Sequence, residues 1–209
     1  NFHLMASEIR DVRENLPRNY YRQLPRLASR EYVGQARIYA MAVELLRHSD
    51  SRLTRQQLIV FVNSYQRVAP LTIGELWAWP SMLKLALIEN LRRLADGIAS
   101  ARLERIAADA HVSQMERADG DMARSLPAVL GPAYVVQLLH RLREYGPRLA
   151  GVRAAIDAHL AAENTSAEEA IRSEHQRQAA TQASVSNAVN SLRLCGSLNW
   201  QDYFEPVKV

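Results

Sequence analysis

The first residues that could carry chemistry in this chain are the paired carboxylates of Asp119-Gly120-Asp121. Such a pair can hold a divalent cation and a nucleotide sugar when both carboxylates lie at the end of a strand, beside a phosphate-binding glycine loop. The surrounding sequence shows neither a strand pattern nor such a loop. A three-residue match without its structural context is weak, so a solvated turn or helix terminus is the favoured interpretation.

Histidine and acidic residues could supply general bases or metal ligands. His175 lies between Glu174 and Gln176 and could act as a general base, although a solvated or hydrogen-bonded helical histidine is the favoured alternative. Zinc needs ligands at spacings such as i and i+4 on one face, whereas these histidines stand apart: His48, His111, His140, His159 and His175. Spacing alone identifies no opposed carboxylate pair for glycoside hydrolysis. We therefore predict no catalytic residue, no metal site and no cofactor.

The most unusual stretch, residues 70–92, contains Trp77 and Trp79. Residues two apart on a helix face different sides, so one indole can lie in the core while the other reaches a surface. A tryptophan face can stack on a sugar ring, but burial is the favoured interpretation because tryptophan is usually highly buried. Ion pairs are also expected here, from Glu75, Glu89 and Arg92. The candidate docking or glucan-contacting residues are Glu75, Trp77, Trp79, Lys84 and Arg92.

Helices must position these residues, because apolar residues recur at spacings of three and four and strand-like alternation is hard to find. We predict an all-α, single-domain, multi-helix bundle over residues 7–209. A long central helix is predicted at about 81–110 and a long C-terminal helix at about 166–194. One apolar stripe of the central helix comprises Leu83, Leu87, Leu91, Leu94, Ile98 and Ile106.

Capping boxes predict where three helices begin. The boxes pair Thr54 with Gln57, Thr72 with Glu75, and Thr165 with Glu168. Pro80 either kinks the helix opened by Thr72 or lies in the first turn of the next one. Further helices are predicted at about 31–48, 132–145 and 149–162, with irregular chain over 113–131.

Composition excludes several classes of protein. The 26 basic and 22 acidic residues give a mixed surface of formal charge +4, which does not indicate a nucleic-acid partner. The single Cys195 excludes an internal disulfide and fits a reducing compartment. Pro80 and Lys84 interrupt the best apolar run, so we expect a soluble segment without a transmembrane helix. Residues 1–6 lack a signal-peptide pattern and are expected to be vector-derived.

Long, ordered motifs are spread along the chain. They are RENLPRNYYRQLP (13–25), residues 70–95, RLREYG (141–146), IRSEHQRQA (171–179), SLRLC (191–195) and WQDYFE (200–205). Over about residues 10–205, these stretches resemble the N-terminal region of bacterial cyclic β-1,2-glucan synthases.

The resemblance implies a much larger parent enzyme in the bacterial inner membrane. That parent would combine a UDP-glucose-dependent glycosyltransferase with a phosphorylase-like part and make a periplasmic cyclic β-1,2-glucan. Neither catalytic part is expected in this segment, which would lie on the cytoplasmic side. The implied partner is the remainder of the synthase, through its transferase domain or a membrane-proximal surface.

Three functions therefore compete. The first is a non-catalytic helical scaffold or regulatory module that docks on the parent through the Trp77–Arg92 region or the basic N-terminal segment. The second is a β-1,2-glucan-binding module, which needs Trp77 or Trp79 exposed in a groove with polar neighbours such as Glu75 and Lys84. The third is an independent glycoside hydrolase, which needs two carboxylates facing each other across a cleft.

Overall fold

A computed structural model describes residues 2–28, 30–117, 126–127, 130–145 and 149–207. Within these ranges the chain forms helices, with one isolated β-bridge between Arg26 and Ala36 and no strand. The predicted all-α fold is confirmed. No helix in these ranges is both long enough and apolar enough to cross a bilayer. Asp119-Gly120-Asp121 lies outside the described residues.

The helices follow in chain order, with short 3-10 turns at Arg30–Tyr32 and Glu205–Val207. They are α1 Phe2–Asn15, α2 Arg18–Gln23, α3 Arg37–Ser49, α4 Arg55–Gln66, α5 Ile73–Arg117, α6 Pro132–Tyr145, α7 Ala150–Ala162, α8 Ala167–Ser197 and α9 Trp200–Phe204. The long central and C-terminal helices are thus confirmed. Leu4 and Met5 of α1 pack against buried residues, and the vector origin of residues 1–6 stays a prediction.

The central helix is longer than predicted. A single helix of 45 residues, α5, contains Pro80 in its interior, so Pro80 does not start a new helix, and the predicted kink stays a prediction. Proline lacks the N–H that would bond the carbonyl four residues earlier, which costs stability. Burial of Trp79, Met82 and Leu83 beside Pro80 offsets this loss, because all three side chains are fully buried. α5 also extends to Arg117, so the start of the predicted irregular region is helical.

Two other helix starts differ from the prediction. α3 begins at Arg37 rather than near residue 31, because Gly34 adopts a left-handed φ of 76° that a right-handed helix cannot contain. The third capping box pairs Ser166 with Glu169, one residue later than predicted. The Thr165 amide instead donates to the Leu160 carbonyl at 2.9 Å and so belongs to the end of α7. The box at Thr72 forms as predicted. At Thr54 the Gln57 amide donates to Oγ1 as predicted, but Gln57 Oε1 accepts from the Thr54 hydroxyl rather than from its backbone amide.

The chain divides into two compact units, which we call unit 1 (residues 1–93 and 182–209) and unit 2 (residues 94–181). The divisions fall within α5 and α8. Each unit has its own hydrophobic core, and the predicted single domain over residues 7–209 stays a prediction.

In unit 1, the core includes Trp79, Tyr203 and Leu58, all fully buried. The aromatic tail docks on this core, with Tyr203 as its most buried member. Cys195 is also buried, and burial raises the pKa of its thiol to about 12, so it carries no accessible thiolate at neutral pH.

In unit 2, the core includes Val112 of α5, Leu138 of α6 and Ile156 of α7, all fully buried. The Glu104 carboxylate accepts hydrogen bonds from the backbone amides of Ala133 and Tyr134, at 3.1 and 3.4 Å. These are among the free N–H groups at the start of α6, so Glu104 caps that helix from α5. The apolar stripe of α5 is buried only in its first part, because Ile98 and Ile106 are exposed.

Candidate docking surface

The two tryptophans of α5 face opposite environments. Trp77 is 76% exposed, whereas Trp79 is fully buried and stacks on Phe61 with ring centroids 6.1 Å apart. This is the split that a two-residue helical spacing predicts. Trp79 is therefore part of the core of unit 1, and Trp77 alone of the pair can meet a partner.

Glu75 lies in the first turn of α5, and its side chain is fully buried. Arg37 of α3 donates to it twice, from Nε to Oε1 at 2.8 Å and from Nη2 to Oε2 at 2.6 Å. The Thr72 amide donates to Oε2 at 2.9 Å. Burial alone would raise the pKa of Glu75, but the hydrogen bonds from Arg37 and Thr72 outweigh it and hold the pKa below its usual value. Glu75 therefore stays charged and fastens α5 to α3.

Lys84 is buried and joins α5 to α1. Its Nζ lies 2.7 Å from both Glu8 Oε2 and Asp11 Oδ2. Burial would lower the pKa of Lys84, but the hydrogen bonds to Asp11 and Glu8 outweigh burial and raise it. The ammonium group is thus neutralised within the interior of unit 1 and is not presented to a ligand.

Arg92 lies on the surface, paired with Glu89 through Nη2–Oε1 at 2.8 Å and Nε–Oε2 at 3.1 Å. The hydrogen bond from Arg92 is the main reason that the pKa of Glu89 is lowered. Fifteen residues separate Trp77 from Arg92, which corresponds to roughly 22 Å along a helix. The two exposed candidates therefore do not form one contact site.

The structure adds Ile73, which sequence reasoning missed. Ile73 is 76% exposed and lies four residues before Trp77, so the two side chains are neighbours on one face of α5. We call this pair the Ile73–Trp77 surface. Tyr20 donates a hydrogen bond to the Gly74 carbonyl, which ties the same turn to α2. The i, i+4 spacing was visible in the sequence, but the solvent exposure of both side chains was not.

Of the five candidate residues, three are committed to the interior and two are on the surface. Glu75, Trp79 and Lys84 hold α5 in place, so their side chains are not available for docking or glucan contact. Trp77 and Arg92 remain exposed, and Trp77 lies beside Ile73. The Ile73–Trp77 surface, of which Trp77 is the predicted member, can thus accept a partner, and a docking role for it stays a prediction.

Comparison with known proteins supports the sequence resemblance. The chain is 35% identical, over an alignment of 213 positions, to the cyclic beta-(1,2)-glucan synthase NdvB of Rhizobium meliloti (strain 1021). The match covers 99% of this chain but only 8% of that protein's length. No family model matches the chain. The resemblance to a cyclic β-1,2-glucan synthase is confirmed, since nearly the whole chain matches a segment of that relative.

Proposed function

Because nearly the whole chain matches a segment of a cyclic β-1,2-glucan synthase, we propose that it is a non-catalytic helical module of such an enzyme, which docks on the rest of the parent. The observation that carries the proposal is the exposed pair of large apolar side chains on α5, Ile73 and Trp77. The segment would act as a scaffold or regulator, and the parent would transfer glucose from UDP-glucose to make a cyclic β-1,2-glucan.

The Ile73–Trp77 surface has the properties of a binding anchor. Tryptophan is enriched among the residues that dominate binding energy at protein interfaces, where it fills a desolvated pocket on the partner. The backbone beneath is held in place by the Glu75–Arg37 pair and by Tyr20. A rigid anchor loses little conformational entropy on binding, which favours affinity.

The proposed partner is the remainder of the parent polypeptide, at its transferase domain or a membrane-proximal surface. This chain spans only 8% of the relative it matches, so most of that relative's length lies outside the matched segment. We place the module on the cytoplasmic side of the inner membrane, where UDP-glucose is available to the transferase that the resemblance implies. The same proposal includes that the module is soluble.

The test is site-specific photo-crosslinking in the intact parent synthase. A photoreactive phenylalanine analogue replaces Trp77 and, as a matched control, Val60, a 52% exposed apolar residue of α4. We expect position 77 to crosslink to peptides outside this segment, and position 60 to give at most a trace. Equal labelling from both positions, or none from position 77, would contradict the docking surface.

Glucan binding is the second candidate, and exposure of the Trp77 indole is the observation that favours it. A glucan groove would need Glu75 and Lys84 as exposed polar neighbours of Trp77. Both side chains are buried in ion pairs instead, which favours docking over glucan binding. Tryptophan fluorescence of the purified chain, titrated with linear and cyclic β-1,2-glucans, separates the two functions. We expect a flat titration, whereas saturable binding that is lost in Trp77→Ala would favour the glucan-binding module.

A further inference from the structure

Unit 2 contains a cavity of about 450 Å³ between α6 and α8, with Arg105 of α5 also in its wall. We call it the α6–α8 groove. α6 contributes His140 and Arg143, and α8 contributes Glu174, His175 and Gln178. Separations of three and four residues place such side chains along one face of each helix. His140 and His175 stand far apart in the sequence and were interpreted as isolated, but in the folded chain both lie in the wall of one cavity.

The negative charge in this groove is already neutralised. The side chain of Glu174 is only 1% exposed, and its Oε2 lies 2.5 Å from Arg177 Nη2. Its Oε1 accepts a hydrogen bond from Gln178 Nε2 at 2.9 Å and lies 3.6 Å from Arg105 Nη1. A buried carboxylate is stable when paired and hydrogen-bonded in this way. The Glu174 carboxylate is therefore paired with protein side chains, including Arg105 and Arg177.

The remaining polar groups of the groove are mainly hydrogen-bond donors. His140, Arg143 and His175 are exposed at its wall. Arg105 Nη1 is buried and has no hydrogen-bond partner among the described residues. Two arginines of the wall, Arg105 and Arg143, face a single carboxylate, so the cavity carries excess positive charge even when both histidines are neutral. A guanidinium group with a neighbouring imidazole suits the oxygens of a phosphate group, which accept several hydrogen bonds at once.

We propose that the α6–α8 groove binds a phosphate-bearing anion, held by His140, Arg143 and His175. The volume exceeds what one inorganic phosphate fills, so the groove suits a diphosphate or a phosphorylated small molecule. A divalent cation is a poorer occupant, because no three His, Cys, Asp or Glu side chains of the described residues are placed to share one. This site does not depend on the Ile73–Trp77 surface.

The first test is a titration of the full 209-residue chain with inorganic pyrophosphate, followed by NMR of the histidine ring protons. We expect the signals of His140 and His175 to shift saturably. His48 and His159 are internal controls, because they lie outside the groove, each within 3.5 Å of a glutamate. If all four signals move together, or if those of His140 and His175 do not saturate, the proposal is overturned.

The second test uses matched arginine variants, with circular dichroism to show that each is folded. Arg143→Gln should weaken pyrophosphate binding by about tenfold, because a charge-assisted contact is lost. Arg153→Gln is the control, since Arg153 lies on α7 of the same unit, is partly exposed and pairs with Asp157. Equal weakening in both variants would indicate non-specific attraction and would contradict the site.

The phosphate could belong to a soluble compound or to an anionic lipid headgroup. Sedimentation with phosphatidylglycerol vesicles, with phosphatidylcholine vesicles as the control, distinguishes the two sources. Binding to anionic vesicles that Arg143→Gln abolishes identifies the lipid source. Pyrophosphate binding without such vesicle binding identifies a soluble ligand, and failure of both arms rejects the groove as a phosphate site.

Discussion

At the scale of single residues, the Glu75–Arg37 pair should be a main fastening of α5. Glu75→Gln removes the carboxylate charge and weakens both hydrogen bonds to a guanidinium that is only 20% exposed. We expect a loss of about 2 kcal/mol in the free energy of unfolding, below the range for a completely buried pair because Arg37 still reaches solvent. Urea denaturation monitored by circular dichroism measures the change.

Glu89→Gln is the matched control, since it breaks an ion pair on the same helix whose side chains are 60% and 41% exposed. Exposed pairs of this kind contribute roughly 0.3–0.5 kcal/mol. Similar losses in Glu75→Gln and Glu89→Gln would show that the buried pair has no special role.

The same pair should also make stability depend on pH. The folded-state pKa of Glu75 lies below its ordinary value of 4.5. Folding therefore favours the charged form, so this contribution is complete above about pH 4.5 and is lost as the pH falls through the folded-state pKa. The difference in unfolding free energy between the native chain and Glu75→Gln should shrink below pH 4.5. A difference that is unchanged at acidic pH would contradict the lowered pKa.

Local spacing predicted some of these residues, and long-range contacts decided the rest. The spacing of Trp77 and Trp79 requires opposite faces, but only the contact between Trp79 and Phe61 determines which indole is buried. Glu89 and Arg92 are three residues apart, so their pairing was predictable. Arg37, the partner of Glu75, lies 38 residues away on α3, so the spacing of neighbouring residues could not predict this pair.

At the scale of elements, the start of α8 provides a direct test of capping register. The segment Thr165-Ser166-Ala167-Glu168-Glu169 contains two overlapping boxes, and the predicted one paired Thr165 with Glu168. The structure uses Ser166 and Glu169. Ser166→Ala should cost about 1 kcal/mol of stability, measured by chemical denaturation.

Thr165→Ala is the control for this prediction. The Thr165 amide bonds to the Leu160 carbonyl, and alanine keeps that backbone group. We expect a change within about 0.5 kcal/mol. A larger loss in Thr165→Ala than in Ser166→Ala would restore the register that the sequence first suggested.

The length of α5 shows why helix ends are harder to predict than helices. Pro80 predicted either a kink or the first turn of a new helix, because a proline inside a helix lacks the N–H that the helix needs. Burial of Trp79 and Met82 beside it involves partners far away in the chain, and this burial outweighs the local cost. Helix existence thus follows from local periodicity, whereas continuity across Pro80 depends on tertiary packing.

At the scale of the whole molecule, the two cores raise the question of how unfolding is distributed. Trp79 belongs to the core of unit 1 and Leu138 to that of unit 2, and both are fully buried. Truncating such side chains to alanine costs roughly 2–5 kcal/mol. If the cores open separately, each substitution destabilises mainly its own unit, since local unfolding follows cooperative groups of contacts.

Hydrogen exchange measured by mass spectrometry on the native protein tests this. Leu138→Ala should speed exchange of amides in α6 and α7 by at least about tenfold, because a loss of 1.4 kcal/mol already changes an opening equilibrium by that factor. Amides of α3 and α4 should keep their protection, and Trp79→Ala should give the reverse pattern. Faster exchange throughout the chain in both variants would contradict separate opening. It would instead indicate one cooperative domain over residues 7–209, as the sequence predicted, with α5 and α8 running through both units.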